Sequence, residues 1–281
     1  MAENAGFNTN FIFKGFIEIM KDSTKKMLKK IFPLGFLIFM HRLHGSVANK
    51  FRYPVLLKNW REFKQSALEK NDQRFILTPK NFSPILHEMA NLQYFDRHYV
   101  YHPAWAARKV KQIQPEFHVD ISSTLHFCSI VSAFIPVKFY DYRPADLRLS
   151  NLESLQADLM KLPFPDNSVS SISCMHTVEH VGLGRYGDPV NATADLRAME
   201  ELGRVVKKGG NLLFVVPVGK PKLMFNAQRI YSFEQIISGF KDLKLKEFTL
   251  LPDSGSLIEN ASPDLVRQQV YGCGCFWFTK E

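Results

Sequence analysis

Apolar and polar positions follow two different grammars along the chain, and the change falls near residue 115. Before it, apolar residues recur at helical spacing and show no strand alternation. Trp60, Phe63, Ala67 and Leu68 predict a helix within 58–70. Pro84 to Phe95 reads as a second with proline in its first turn, and His102 to Ile113 as a third entered through Pro103. From Glu116 onward short apolar runs alternate with helical stretches, the pattern of a parallel sheet covered on both faces. Strands are expected at 116–122, 136–142, 154–158, 169–176, 211–219, 243–251 and 273–280, and helices at 125–134, 194–206 and 232–240. The unbroken apolar run at 211–219 marks a central buried strand. Ser122, Ser123 and Thr124 can each cap the helix at 125–134, while Lys207, Lys208 and Gly209-Gly210 read as the stop of the helix at 194–206. The chain therefore divides into a helical extension over 1–100 and an α/β domain over 101–281.

Composition narrows the class. With 281 residues, 46% hydrophobic and 22% charged, the chain is an ordinary globular one, which excludes disorder, collagen and a disulfide scaffold. The net charge is +9, but residues 1–60 hold ten Lys and Arg against three Asp and Glu, so most of the excess belongs to the first segment. The most apolar stretch, Ile31 to Met40, has ten residues and includes Pro33 and Gly35, whereas a membrane-spanning helix needs about 20. Preceded by Lys25, Lys26, Lys29 and Lys30, it suits either an anionic membrane surface or a helix packed on the body. The four cysteines, Cys128, Cys174, Cys273 and Cys275, lie in apolar sequence and form no CxxC pair. Core packing in a reducing, cytoplasmic compartment is expected of them, and no metal site.

Particular strings carry a resemblance. DISS at 120–123, FYDYRP at 139–144, ADLMKLPFPDNSVSSIS at 157–173, HTVEHVGLGRYGDP at 176–189, RVVKKGG at 204–210, FNAQRIYS at 225–232 and CGCFWFTK at 273–280 resemble the DUF268 family of methyltransferase-like proteins. More broadly, the element order with acids ending the first three strands is similar to class I S-adenosylmethionine-dependent methyltransferases. The resemblance implies a Rossmann-like fold: seven strands, mostly parallel, the last antiparallel. It also implies S-adenosylmethionine as cofactor and, from the company such proteins keep, a sugar hydroxyl in surface-glycan biosynthesis as acceptor.

The residues themselves support that chemistry. Ligands of parallel sheets bind outside the C-terminal strand ends. Asp141 is placed to accept both hydroxyls of a ribose, and Asp158, with Leu159 beside it, to accept from an adenine amino group. Asp120 either orients the loop after the first strand or caps the helix that follows. That loop has no glycine, although backbone must approach the cofactor's methionine part there. Ser122, Ser123 and helix N-terminal N–H groups are what could hold its carboxylate, and a degenerate, non-catalytic binding module is the alternative. After the fourth strand come His176, Glu179 and His180. His176 is expected at the cofactor, His180 as the base that takes a proton from a hydroxyl acceptor, and Glu179 as its orienting partner or a base itself. The glycine-rich GLGRYGDP carries Arg185, Tyr186 and Asp188 toward the substrate, unless it is a structural turn. Asn226 and Arg229 are expected to join them, while Arg143 reads as a structural partner of Asp141. A nucleic-acid substrate is disfavoured, because CMHTV at 174–178 replaces an Asn/Asp-Pro-Pro-aromatic clamp and the body lacks a basic stripe.

Overall fold

The computed structural model describes residues 34–85 and 95–281, and side chains from residue 52 onward. The chain forms two compact units, Met1–Tyr94 and Phe95–Glu281, so the division falls six residues before the boundary expected from sequence. The basic residues before 34 and most of the helix expected at 84–95 lie outside the described residues.

Among the described residues of the first unit, helix α1 (Leu34–Glu69) covers the expected 58–70 segment up to residue 69. It ends where Asn71 turns into the left-handed region (φ 50°), and Trp60 packs on Phe82 with ring centroids 5.6 Å apart. No described helix is long and apolar enough to cross a membrane.

The second unit begins with α2 (Arg97–Ile113), capped by the Asp96 side chain accepting from the Tyr99 N–H. Pro103 lies inside this helix and does not open it, which moves the start five residues upstream and brings His98 into an element. Then follow β1 (His118–Ile121), α3 (Leu125–Val131), β2 (Val137–Asp141), β3 (Leu152–Gln156) and β4 (Val169–Met175). Next are α4 (Ala194–Val205), β5 (Val206–Val218), a hairpin of β6 (Lys222–Met224) and β7 (Gln228–Ile230), α5 (Phe233–Gly239), β8 (Lys244–Leu251) and β9 (Gly272–Thr279). Thr124 caps α3, and Ser232 with Gln235 forms a full capping box on α5.

Two further differences from expectation bear on the sheet. Strand β3 sits two residues earlier than the apolar pattern suggests, since it is an edge strand with an exposed face and little apolar signal. The Gly209-Gly210 pair does not stop α4. The helix passes into β5 at Val206, and the glycines form an irregularity inside that strand, with Gly209 at φ +71°.

The sheet order is β3-β2-β1-β4-β5-β9-β8. The first five are mutually parallel, and β9 runs antiparallel between β5 and β8. This is the Rossmann-like arrangement of class I methyltransferases that the resemblance implied. Strand period places Leu212, Phe214 and Val216 against α4 and α5 on one face, and Leu213 and Val215 with α2 and α3 on the other. Complete burial of β5 from Leu212 to Val218 follows from its central place, and each large side chain so buried contributes about 1.5–3 kcal/mol. On the second face, the Lys109–Glu247 ion pair (2.6 Å) joins α2 to β8.

Candidate active site

The sheet delivers β1, β2 and β4 side by side, and their C-terminal ends surround a cavity of about 320 Å³. That size is within the range of small-molecule sites. Its lining includes Ser122, Asp141, Asp158, Leu159, His176, His180, Tyr186 and Asp188, all anticipated, and also Tyr142, Arg143, Met160 and Thr177. Asp120, Ser123, Glu179, Arg185, Asn226 and Arg229 are not among the lining residues.

The floor is knitted from the loops after β1 and β4. Ser122 adopts φ 52° and His176 φ 54°, so both loops leave their strands through a left-handed residue. A non-glycine residue there costs on the order of 1 kcal/mol. The glycine absent from this loop is thus replaced in conformation by Ser122, whose hydroxyl donates to the Tyr140 carbonyl (3.2 Å). Thr177 Oγ1 donates to the Ser122 carbonyl (2.9 Å), and the Met175 N–H to Ser123 Oγ (3.1 Å).

Asp120 lies beneath this floor, fully buried, and accepts from Ser173 Oγ (2.5 Å). It orients the loop, leaving the capping of α3 to Thr124. Burial pushes its carboxyl up to about 7 despite the Ser123 and Ser173 hydroxyls. His118 completes this polar seam between β1 and β4, with Nε2 2.9 Å from Ser173 Oγ and Nδ1 2.8 Å from Ser171 Oγ. Burial holds His118 down at about 3, hence neutral.

The two carboxylates expected at the cofactor are each set by their own turn. Asp141 Oδ1 accepts from the Arg143 N–H (2.7 Å), and Asp158 Oδ1 from the Met160 N–H (2.9 Å). One oxygen orients each side chain on the cavity wall. Arg143 itself is not confined to partnering Asp141. Its guanidinium lies over the Tyr186 ring, 5.0 Å from the centroid, and lines the cavity.

Strand β4 ends in a single 3-10 turn, Val178–His180, which places two imidazoles on one carboxylate. Glu179 Oε1 is 2.8 Å from His176 Nδ1 and 3.8 Å from His180 Nε2. Burial alone would raise Glu179, but His180 and His176 hold it below its ordinary range. His180 Nδ1 is 2.6 Å from the Ala227 carbonyl, so that nitrogen carries the proton and Nε2 is left basic. Burial lowers His180, Glu179 raises it and Arg185 lowers it, and the net is below the ordinary imidazole value. His180 is therefore neutral, anchored through backbone and on the cavity wall.

The GLGRYGDP loop is a built turn. Asp188 accepts from the Gly182 N–H (2.7 Å) and the Tyr186 N–H (3.2 Å). Gly182 has φ +76°, and a Cβ there would meet the Asn191 carbonyl oxygen at 2.2 Å, so only glycine fits. Three substrate candidates take other roles. Arg185 donates to the Ala227 carbonyl (3.0 Å). Asn226 occupies the β6–β7 turn at φ 61°. Arg229 donates to the Val181 carbonyl (2.7 Å) and pairs with Asp195 (3.4 Å), strapping the turn that carries Glu179.

Beyond His176, away from this lining, stand groups that no sequence pattern connects. His98 and His102 from α2 lie 5.2 Å and 4.9 Å from the His176 ring, and Cys273 Sγ lies 3.6 Å from His176 Nε2. Cys273 and Cys275 face one side of β9 as their spacing required, Sγ to Sγ 3.9 Å.

Known proteins resemble parts of this chain. Residues 161–245 match the family model described as Caenorhabditis protein of unknown function, DUF268. The ubiquinone/menaquinone biosynthesis C-methyltransferase UbiE of Pseudomonas entomophila (strain L48) is 34% identical over 114 residues, 40% of this chain and 34% of that protein. The UbiE of Pseudomonas syringae pv. syringae (strain B728a) is 39% identical over 94 residues, 32% of each chain. The chain thus spans about a third of the length of these curated relatives. Among solved structures, the N-methyltransferase NodS of Bradyrhizobium japonicum WM9 in complex with S-adenosyl-L-homocysteine is similar at 12% identity. The match has a TM-score of 0.43 and covers 64% of this chain and 88% of that one.

Proposed function

We propose that the protein is an S-adenosylmethionine-dependent methyltransferase acting on a hydroxyl of a small polar acceptor, with a sugar as the first candidate. The observation that carries this reading is His180, fixed through Nδ1 at the wall of a cavity whose lining also presents Asp141 and Asp158. Both carboxylates suit a nucleoside, since each stands at a strand end on the cavity wall with one oxygen already oriented by its turn. Ser122 reproduces the left-handed turn that a glycine would give and lines the cavity itself, so the loop and the two carboxylates fit the cofactor.

When bound, that cofactor supplies an activated methyl group, and transfer is an in-line displacement in which alignment is the protein's main contribution. His180 Nε2 takes the proton of the acceptor hydroxyl as its oxygen attacks. Glu179, 3.8 Å from that nitrogen, then stabilises the imidazolium. Tyr186, with Arg143 over one side of its ring and Asp188 holding the loop beneath it, forms the wall nearest the acceptor. The basic residues of 1–60 are proposed as the address that brings the chain to anionic membrane surfaces, where lipid-linked glycans are made.

Calorimetry with S-adenosylhomocysteine tests the cofactor. A single saturable site is expected, and no heat at millimolar ligand from a folded chain overturns the reading. His180→Ala is expected to lower turnover about 100-fold or more with cofactor affinity nearly unchanged. Unchanged turnover removes His180 from the mechanism.

A further inference from the structure

We infer that His98, His176 and Cys273 form a buried site for a zinc-class divalent cation. The donor atoms of these three residues lie within 4.8 Å of one another, and all three residues are buried. They come from α2, the end of β4 and β9, so a cation here would clamp the helix to two strands of the sheet.

The Cys273–His176 distance suits the ion. Tetrahedral zinc with Zn–S of about 2.3 Å and Zn–N of about 2.05 Å sets its sulfur and nitrogen donors about 3.6 Å apart. Cys273 Sγ and His176 Nε2 are separated by 3.6 Å. Orientation points the same way. Histidines that bind metals through one ring nitrogen commonly donate the other to a carboxylate or backbone carbonyl, which fixes the tautomer. His176 Nδ1 is on Glu179 Oε1 at 2.8 Å, and His98 Nε2 is on the Tyr271 carbonyl at 3.1 Å. Each arrangement turns the opposite nitrogen to the cluster.

A second, independent observation is His102. It is fully buried, and its Nδ1 donates to the His98 carbonyl at 2.6 Å. Its Nε2 has no hydrogen-bond partner, although its ring centroid is 4.9 Å from that of His176. A buried imidazole lone pair left without a donor next to the His176 ring is available to complete the ligand set. Charge completes the case. Glu179 is 1% exposed and its ion partners among the described residues are imidazoles alone. A divalent cation bound to His176 Nε2 and a Cys273 thiolate would balance both buried anions, taking the place of the proton that the Glu179–His176 pair holds and of the thiol proton, both of which are released to solvent on binding.

The inference does not rest on methyl transfer, and its test is read without cofactor. The full chain, stripped with a strong chelator and shown by circular dichroism to be folded, is titrated with cobalt(II). One equivalent should produce the visible bands of four-coordinate cobalt together with a near-ultraviolet thiolate charge-transfer band, and zinc should abolish both. Cys273→Ser is expected to lose the charge-transfer band, while Cys128→Ser, a thiol on another element, keeps it. His102→Phe should weaken cobalt binding at least about 10-fold. No charge-transfer band from the stripped, folded wild-type chain overturns the proposal, whether or not the variants fold. So does a band that survives Cys273→Ser.

Discussion

On one side of His176 the strand ends of β1, β2 and β4 open onto a cavity, and on the other the rings of His98 and His102 and the thiol of Cys273 close the space. The carboxylates of the open side are half-exposed or exposed. Asp141, Asp158 and Asp188 each spend part of their carboxylate on N–H groups of their own turns, which orients them without stripping their water. The closed side has no such latitude. His176 and Glu179 are nearly inaccessible, and each depends on the other to offset its loss of solvent. Burial pulls His176 down, yet Glu179 and the Cys273 sulfur outweigh it and bring it up to about 10. Polar groups therefore serve recognition where water reaches them and cohesion where it does not.

That contrast predicts a gradient of mutational cost. His176→Ala removes one partner of a buried pair and leaves Glu179 uncompensated, so thermal or urea unfolding should show a loss of about 4 kcal/mol. A loss near that of an exposed residue would mean the closed side is held some other way. Next comes Gly182→Ala, where strain at φ +76° combines with a contact at 2.2 Å. About 3 kcal/mol is expected, with S-adenosylhomocysteine affinity falling as the loop shifts. Retention of wild-type stability would show that the loop is not built as described.

Asp120 gives an effect that depends on pH. Its folded carboxyl sits at about 7, above an unfolded value near 4, so the folded state holds the proton more tightly. Its contribution is complete below about pH 4 and is lost as pH rises through 7. Between pH 5 and pH 7 that amounts to about 2 kcal/mol, which Asp120→Asn should remove. Urea midpoints of wild type and variant falling in parallel over this range would refute the assignment. The smallest effect is Arg143→Ala on the open side. Stability should change by less than about 0.5 kcal/mol, whereas the acceptor's KM should rise several-fold, because the cation over Tyr186 is exposed. A large stability loss would place Arg143 with the closed side.

How far each side can be read from sequence differs for the same reason. The open side follows strand ends, and strand ends follow apolar period, so Asp141, Asp158 and His180 are legible in the pattern itself. Their neighbours Arg143 and Thr177 are not, because nothing in a local pattern tells a turn residue from a wall residue. Ser122 misleads for a related reason. A missing glycine suggests a missing conformation, whereas the hydrogen bonds around β1 and β4 force φ 52° on a serine. Arg229 and Asn226 lie on a hairpin too short to leave a period-two signal, so the pattern does not show their place in it. The closed side depends on residues 98, 176 and 273 meeting through three elements. Pro103 also hides the first turn of α2, so His98 does not register as part of a helix face.

The position of β9 bears on how the chain reaches this state. It is made after β8 yet lies between β8 and β5, and β8 has no other neighbour in the sheet. While the chain emerges from a ribosome, β5 has one edge bare until β9 is made. The sheet is complete only when β9 pairs with β5, a contact between residues well separated in sequence and slow relative to local pairing for that reason. Until then the bare edge of β5 is open to pairing with another copy, which makes synthesis the interval when this protein is most exposed to aggregation.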